Sequence, residues 1–259
     1  MDFALLFGIA LAGALASPIG GALSLLRKPT TLALSLSVGF AAGALLGAFA
    51  FEMLPKAVEL ASLARAVLGF VLGFAFLYAL DLFVHRGASA GDKAQQRDWV
   101  RSVQRRRKQR GDEVTVLAGG TSAEELVEGL TIGVSAATDP SLGLIVGLAI
   151  VIDNVSESLS IGHLVHEQGG EHPTRRILGW TSLIGLALFL SAMAGWFFLR
   201  DLPKETLGLL LASGAGAMFY LTTTQLVPEA ESHQFQQSAA VAAGTGLLVI
   251  FTLSNVAAR

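Results

Sequence analysis

Apolar positions along the chain gather into long blocks, with the polar ones pushed between them. Eight such blocks stand out, over residues 3–26, 31–54, 63–84, 116–138, 141–165, 177–199, 206–227 and 236–256. Each meets the roughly 20 apolar residues that a helix needs to cross a bilayer. They are too long and too uniformly apolar for the alternating ten-residue strands of a membrane barrel. The pattern therefore predicts an all-α polytopic membrane protein of eight transmembrane helices in a single domain over residues 1–259.

Composition agrees. The chain has 259 residues, of which 53% are apolar and only 15% charged, and its mean hydropathy is +0.60. A soluble domain carries about 25% charged residues spread along its length, so a soluble fold is excluded. Eight spans also leave no room for a separate catalytic domain. The absence of cysteine excludes disulfides, thiolate metal sites and cysteine nucleophiles. The 29 glycines suit close approach of helix backbones. Ala14-Leu15-Ala16 resembles a signal-peptidase site, but no basic segment precedes it and the apolar run continues past it, so the first block reads as a retained helix.

The distribution of charge gives an orientation. With the N- and C-termini outside, the inner loops hold Arg27, Lys28, nine basic residues between Arg86 and Arg110, Arg175 and Arg176, leaving five basic residues outside. The positive-inside rule favours this arrangement over its inverse. The basic run from Arg101 to Arg110 then belongs to a cytoplasmic loop over residues 85–115 that touches anionic lipid, with no nucleic-acid partner implied.

Acids occur where a membrane helix should have none. The fourth block carries Glu124, Glu125 and Glu128, and the fifth Asp153, Asn154 and Glu157. Ionisable groups at this depth are costly and must be protonated, paired or bound to a cation. No lysine or arginine lies within these blocks to pair with them, which makes a metal ion the economical partner. Spacings of three and four residues put each triad on one helical face. The ten residues from Glu124 to Gly133 also align with those from Asp153 to Gly162, as two copies of one ligand cassette. Counted from the Asp139-Pro140 turn at about 1.5 Å per residue, the two cassettes stand at matching depths, roughly 20–25 Å away. Six oxygen-bearing side chains suit a divalent ion. They shift preference toward Mn²⁺, Fe²⁺ or Mg²⁺ while zinc still competes through its higher intrinsic affinity.

A second duplication is longer. Ala41-Ala42-Gly43-Ala44 followed by Glu52-Met53-Leu54-Pro55 aligns with Gly214-Ala215-Gly216-Ala217 followed by Gln225-Leu226-Val227-Pro228. Blocks one to three and six to eight are therefore inverted repeats flanking the acidic pair, a 3+2+3 arrangement typical of transporters with a midplane polar site. Glu52 and Gln225 occupy equivalent places and are candidate pathway residues. Glu229 and His163, beyond the acids toward the inner face, are candidates to receive a departing ion, although an interfacial or solvated role accounts for either.

In these residues the chain resembles the ZIP family of divalent metal transporters over nearly its whole length. The likeness lies in Leu25-Leu26-Arg27-Lys28-Pro29, Leu54-Pro55, Glu128-Gly129-Leu130, Asn154-Val155-Ser156-Glu157, and the stretch from Gly216-Ala217-Met218 to Pro228-Glu229. The resemblance implies an eight-helix transporter of the bacterial inner membrane, and a homodimer. It implies a metal centre on helices four and five, and motion of helices one, four, five and six against the other four. The transported ion would be Zn²⁺, Mn²⁺, Fe²⁺, Cd²⁺ or Mg²⁺. Departures from the family pattern are acids at both usual histidine positions (Glu124 and Asp153), Val127 and Ser156 in place of helix-breaking prolines, and Leu188 where the sixth helix has a glutamate. Without the prolines both helices should be straighter, and without the glutamate a second metal should bind more weakly. Two other functions are compatible with the acids: metal sensing without flux, and an intramembrane metal-dependent hydrolase. The second lacks any histidine near the carboxylates.

Overall fold

The computed structural model describes residues 3–84, 113–169, 171–231 and 235–257. Most of the expected 85–115 loop lies outside the described residues; its last three are helical. The described residues form eight long helices and no strand: α1 (Phe3–Leu26), α2 (Thr31–Leu60), α3 (Leu63–Val84), α4 (Glu113–Thr138), α5 (Pro140–Gln168), α6 (Pro173–Leu199), α7 (Lys204–Glu231) and α8 (Gln236–Ala257). All but α4 are long and apolar enough to cross a membrane. The exception carries four glutamates in its 26 residues and packs among α5, α6 and α7. The protein is an all-α polytopic membrane protein.

Local chemistry sets the helix ends. Thr30 caps α2 by accepting from the Ala33 N–H, and Asp139 caps α5 ahead of a proline at its first position, where the missing N–H costs nothing. Helices α2 and α7 run past their apolar blocks, straight through Pro55 and Pro228. Each does so by widening for one turn just before its proline: Leu54 N–H reaches back to Phe49 O and Val227 N–H to Thr222 O. A proline ring clashes with the carbonyl four residues earlier, and a π-turn moves that carbonyl aside. Glu52 and Gln225 sit in these two turns.

Packing follows the repeat. α1 lies on α5 as α6 lies on α4, α2 lies on α8 as α7 lies on α3, and α2 meets α5 as α7 meets α4. The pairs α1–α6 and α4–α5 are their own counterparts. Every one of these relations is preserved when helices one to three are exchanged with six to eight and four with five. Two four-helix groups result, α1, α4, α5, α6 and α2, α3, α7, α8, joined mainly where α2 meets α5 and α7 meets α4. The duplicated glycines do equivalent work: Gly43 lies against the Ala243 backbone of α8, and Gly216 against the Phe70 backbone of α3.

Apolar burial sorts the layers. In their most apolar windows α2 and α7 are 67% buried, whereas α3 and α8 are 22% buried, so the former are central and the latter outermost. Val67, Leu72 and Phe76 on α3 and Val241 and Leu248 on α8 face outward, a surface that lipid and not water would cover. Helix ends sort onto two faces. On one, Lys56 approaches Asp139 at 3.8 Å and Arg65 pairs with Glu205. On the other, the ring nitrogens of His163 and His166 meet the backbone carbonyls of Pro29 and Ser24 at the α1–α2 connection. Buried Tyr220 of α7 donates to Asp81 of α3 at 2.7 Å, engaging the one carboxylate buried in α3.

Candidate metal centre

The short Asp139-Pro140 turn makes α4 and α5 antiparallel neighbours, and their small residues let them close up: Gly143 stands directly against Ala136. This brings the two cassettes side by side. Glu125, Glu128, Asp153 and Asn154 are between 1% and 7% exposed, and Glu124 and Glu157 are half-buried. The five carboxylates are near enough to act on one another: Glu128 feels Glu125, Asp153, Glu157 and Glu124, while Glu125 feels Asp153 and Glu124 and lies beside Asn154. Among the described residues no lysine or arginine pairs with Glu125, Glu128, Asp153 or Glu157.

Burial without partners marks the centre. Glu125 Oε2, Glu128 Oε2 and Asp153 Oδ1 are shut away from solvent with no hydrogen bond. Each such group costs about 1–3 kcal/mol, and more when charged. Three of them on adjoining turns of two helices would be a heavy load for structural glue. The same arrangement is what oxygen ligands present to a hard or borderline cation. The described residues nevertheless contain no group of three or more His, Asp or Glu side chains already poised around one point; the carboxylates are neighbours and not a finished coordination shell.

Several polar residues hold the acids in place, and sequence reading singled out only some of them. Ser17 of α1 donates to Asn154 Oδ1 at 3.2 Å, Thr121 donates to Glu157 Oε1 at 2.7 Å, and Ser191 of α6 donates to the Glu125 carbonyl at 3.2 Å. A signal for Ser17 existed, since it stands beside Pro18 in an otherwise apolar helix. Thr121 lies on the face of Glu124 and Glu125, one turn earlier. Of the candidate pathway residues, Gln225 joins the centre directly, its Nε2 donating to Glu124 Oε1 at 2.5 Å. Glu229, one turn further along α7, comes close enough for its charge to act on Asp153. The structure leaves the other two apart. Glu52 is half-buried in its π-turn, with no hydrogen bond or ion pair to the acids among the described residues. Both His163 ring nitrogens are engaged elsewhere, Nδ1 by Pro29 O and Nε2 by Glu167, each at 3.2 Å. Leu188, at the sixth-helix position, is fully buried and packs over Gly13 of α1.

The two sides of the centre differ in polarity. Toward the Asp139 turn it is backed by Ile132, Val146, Ala149 and Ile150 together with Met53, Leu211, Ala215 and Met218, all fully or nearly fully buried in one apolar cluster. Toward the opposite face stand the half-buried Glu124, Glu157, Gln225 and Glu229.

Inverted helical repeats around a buried cluster of acids are the architecture of a membrane transporter. Comparison with known proteins narrows the class. The chain is 30% identical to the zinc transporter ZupT of Corynebacterium glutamicum over 237 residues, covering 87% of this chain and 89% of that protein. It is 29% identical to the ZupT of Corynebacterium efficiens over 237 residues, and 30% identical to that of Salmonella newport over 227 residues, covering 85% of this chain and 84% of the relative. No family model matches the chain. The likeness runs through nearly the full length of both partners, and the chain belongs to the ZIP family of divalent metal transporters, as a divergent member. It is a transporter and not an enzyme.

Proposed function

We propose that the chain carries zinc, or a harder divalent ion such as manganese or iron, toward the cytoplasm through the acids of α4 and α5. Glu124, Glu125, Glu128, Asp153, Asn154 and Glu157 serve as ligands. The cluster of buried, unpartnered carboxylate oxygens at Glu125, Glu128 and Asp153 carries this reading, since a divalent ion would satisfy all three together and relieve the repulsion between the carboxylates. Zinc is the ion named for the relatives; the oxygen-only ligand set favours harder ions.

The N- and C-termini lie outside, and the basic 85–115 loop is cytoplasmic. The half-buried side of the centre then faces inward and the apolar backing faces out. Alternation follows from the two helix groups. Sliding α1, α4, α5 and α6 against α2, α3, α7 and α8 would carry the acids past the seams where α2 meets α5 and α7 meets α4, exposing them to one side at a time.

Reconstitution into liposomes loaded with a metal-sensitive dye tests the reading. Wild-type chain should show saturable uptake, and replacing both Glu128 and Glu157 by alanine should abolish it while leaving the detergent-solubilised protein folded. Uptake that survives the double replacement removes these residues from the path. Metal binding without flux in the wild type would favour a sensing role.

A further inference from the structure

We propose that Gln225 is a release residue, competing with the transported ion for the Glu124 carboxylate in the arrangement the structure captures. The inference rests on the acids of α4 and α5 being a cation centre. Gln225 belongs to the α2, α3, α7, α8 group and Glu124 to the α1, α4, α5, α6 group, so their 2.5 Å hydrogen bond spans the two bodies. It forms only when those bodies stand in this relation. The amide holds the Glu124 carboxylate toward α7, so an ion that recruits Glu124 must first draw it out of that bond, whereas the Ser17 bond to Asn154 lies within one helix group and persists in every arrangement. The bond therefore weakens the cation site in one conformation and disappears in the other.

The backbone makes the residue's position definite. Gln225 lies inside the π-turn that lets α7 pass Pro228, so its side chain leaves the helix where the winding is widened. The equivalent π-turn of α2 carries Glu52, a carboxyl side chain in place of the amide. It makes no bond to the acids among the described residues. The frame is duplicated but the competitor is present in only one copy. A two-fold scaffold thereby gains polarity: the end with the amide lowers the affinity of the centre, and the end with the carboxylate does not.

The test uses the full chain and measures binding apart from flux. Gln225→Met keeps the side-chain length and removes the donor; Gln225→Leu removes it with a shorter apolar side chain, and carries the test should the methionine variant fail to fold. Calorimetric titration with Mn²⁺ in detergent should show binding about tenfold tighter in either variant, the equivalent of roughly 1.4 kcal/mol for one hydrogen bond to a charged group. In proteoliposomes KM and maximal rate should fall together, because release becomes the slow step. Unchanged or weaker Mn²⁺ binding in both variants, beside wild-type protein that binds and transports, overturns the role of Gln225 and leaves the proposed function standing. Wild-type protein that neither binds nor transports any divalent ion overturns both.

Discussion

Replacing Gly43 by alanine should separate α2 from α8, and the structure sets the scale. A methyl group built on Gly43 would collide with the Ala243 carbonyl oxygen and stand 2.6 Å from its carbonyl carbon, whereas carbon atoms in contact prefer about 3.5–4.0 Å. The obstacle is helix backbone, which cannot swing away as a side-chain tip can, so the helices must part by roughly 1 Å along that seam. Overpacking of this kind costs about 1–3 kcal/mol. Each kcal/mol shifts Tm by roughly 2–4 °C in a chain of this size, giving an expected loss of about 2–12 °C in detergent. Gly244, the next residue along α8 from Ala243, has nothing within 4 Å of the same methyl. Gly244→Ala should therefore leave Tm unchanged or raise it slightly, through the better helix propensity of alanine. Gly216→Ala should repeat the Gly43→Ala loss, because its methyl would meet the Phe70 backbone, with the Cα at 3.0 Å. Thermal unfolding of the three variants side by side decides the matter. Equal Tm values for Gly43→Ala and Gly244→Ala would refute the close seam and with it the equivalence of the two repeats.

Two further outcomes are expected. Ser17→Ala removes the hydroxyl that fixes the Asn154 amide and should weaken metal affinity about tenfold, as loss of a ligand-orienting hydrogen bond does. Calorimetry should detect this with Tm nearly unchanged, and unaltered affinity would argue that Asn154 is not a ligand. Asp139 lies between the spans, and its carboxyl is held below the ordinary value chiefly by the Ser141 hydroxyl, with the Ser141 and Leu142 N–H groups and Lys56 adding to it. A depressed carboxyl stabilises the fold fully above its unfolded value of about 3.9 and loses that contribution as pH falls through the folded value. Asp139→Ala should accordingly cost about 1 kcal/mol at pH 7, as loss of a helix cap does. The difference from wild type should shrink toward pH 3, and a gap in Tm that stays constant over that range would contradict the assignment.

The acids of α4 and α5 show how far one-dimensional pattern reaches. Their helical spacing, their duplication and their depth from the Asp139-Pro140 turn were all legible, because the rise and period of a helix are fixed by its backbone and the bilayer forbids other spanning structures to such runs. Ser17 and Thr121 were not singled out. A lone hydroxyl in an apolar helix carries no period, and its role appears only when a partner helix brings Asn154 or Glu157 within reach.

Gln225 and Glu52 draw the line most clearly. Their equivalence could be read from the repeat, as could the eight helices, the membrane environment and the acidic cassettes, all of which depend on composition and on spacing within single helices. That Gln225 bonds Glu124 while Glu52 stands apart was decided by tertiary structure alone. So were the π-turns that carry α2 and α7 through their prolines. A repeated sequence specifies equivalent backbones, but the contacts at the seams depend on where two separately packed bodies come to rest against each other.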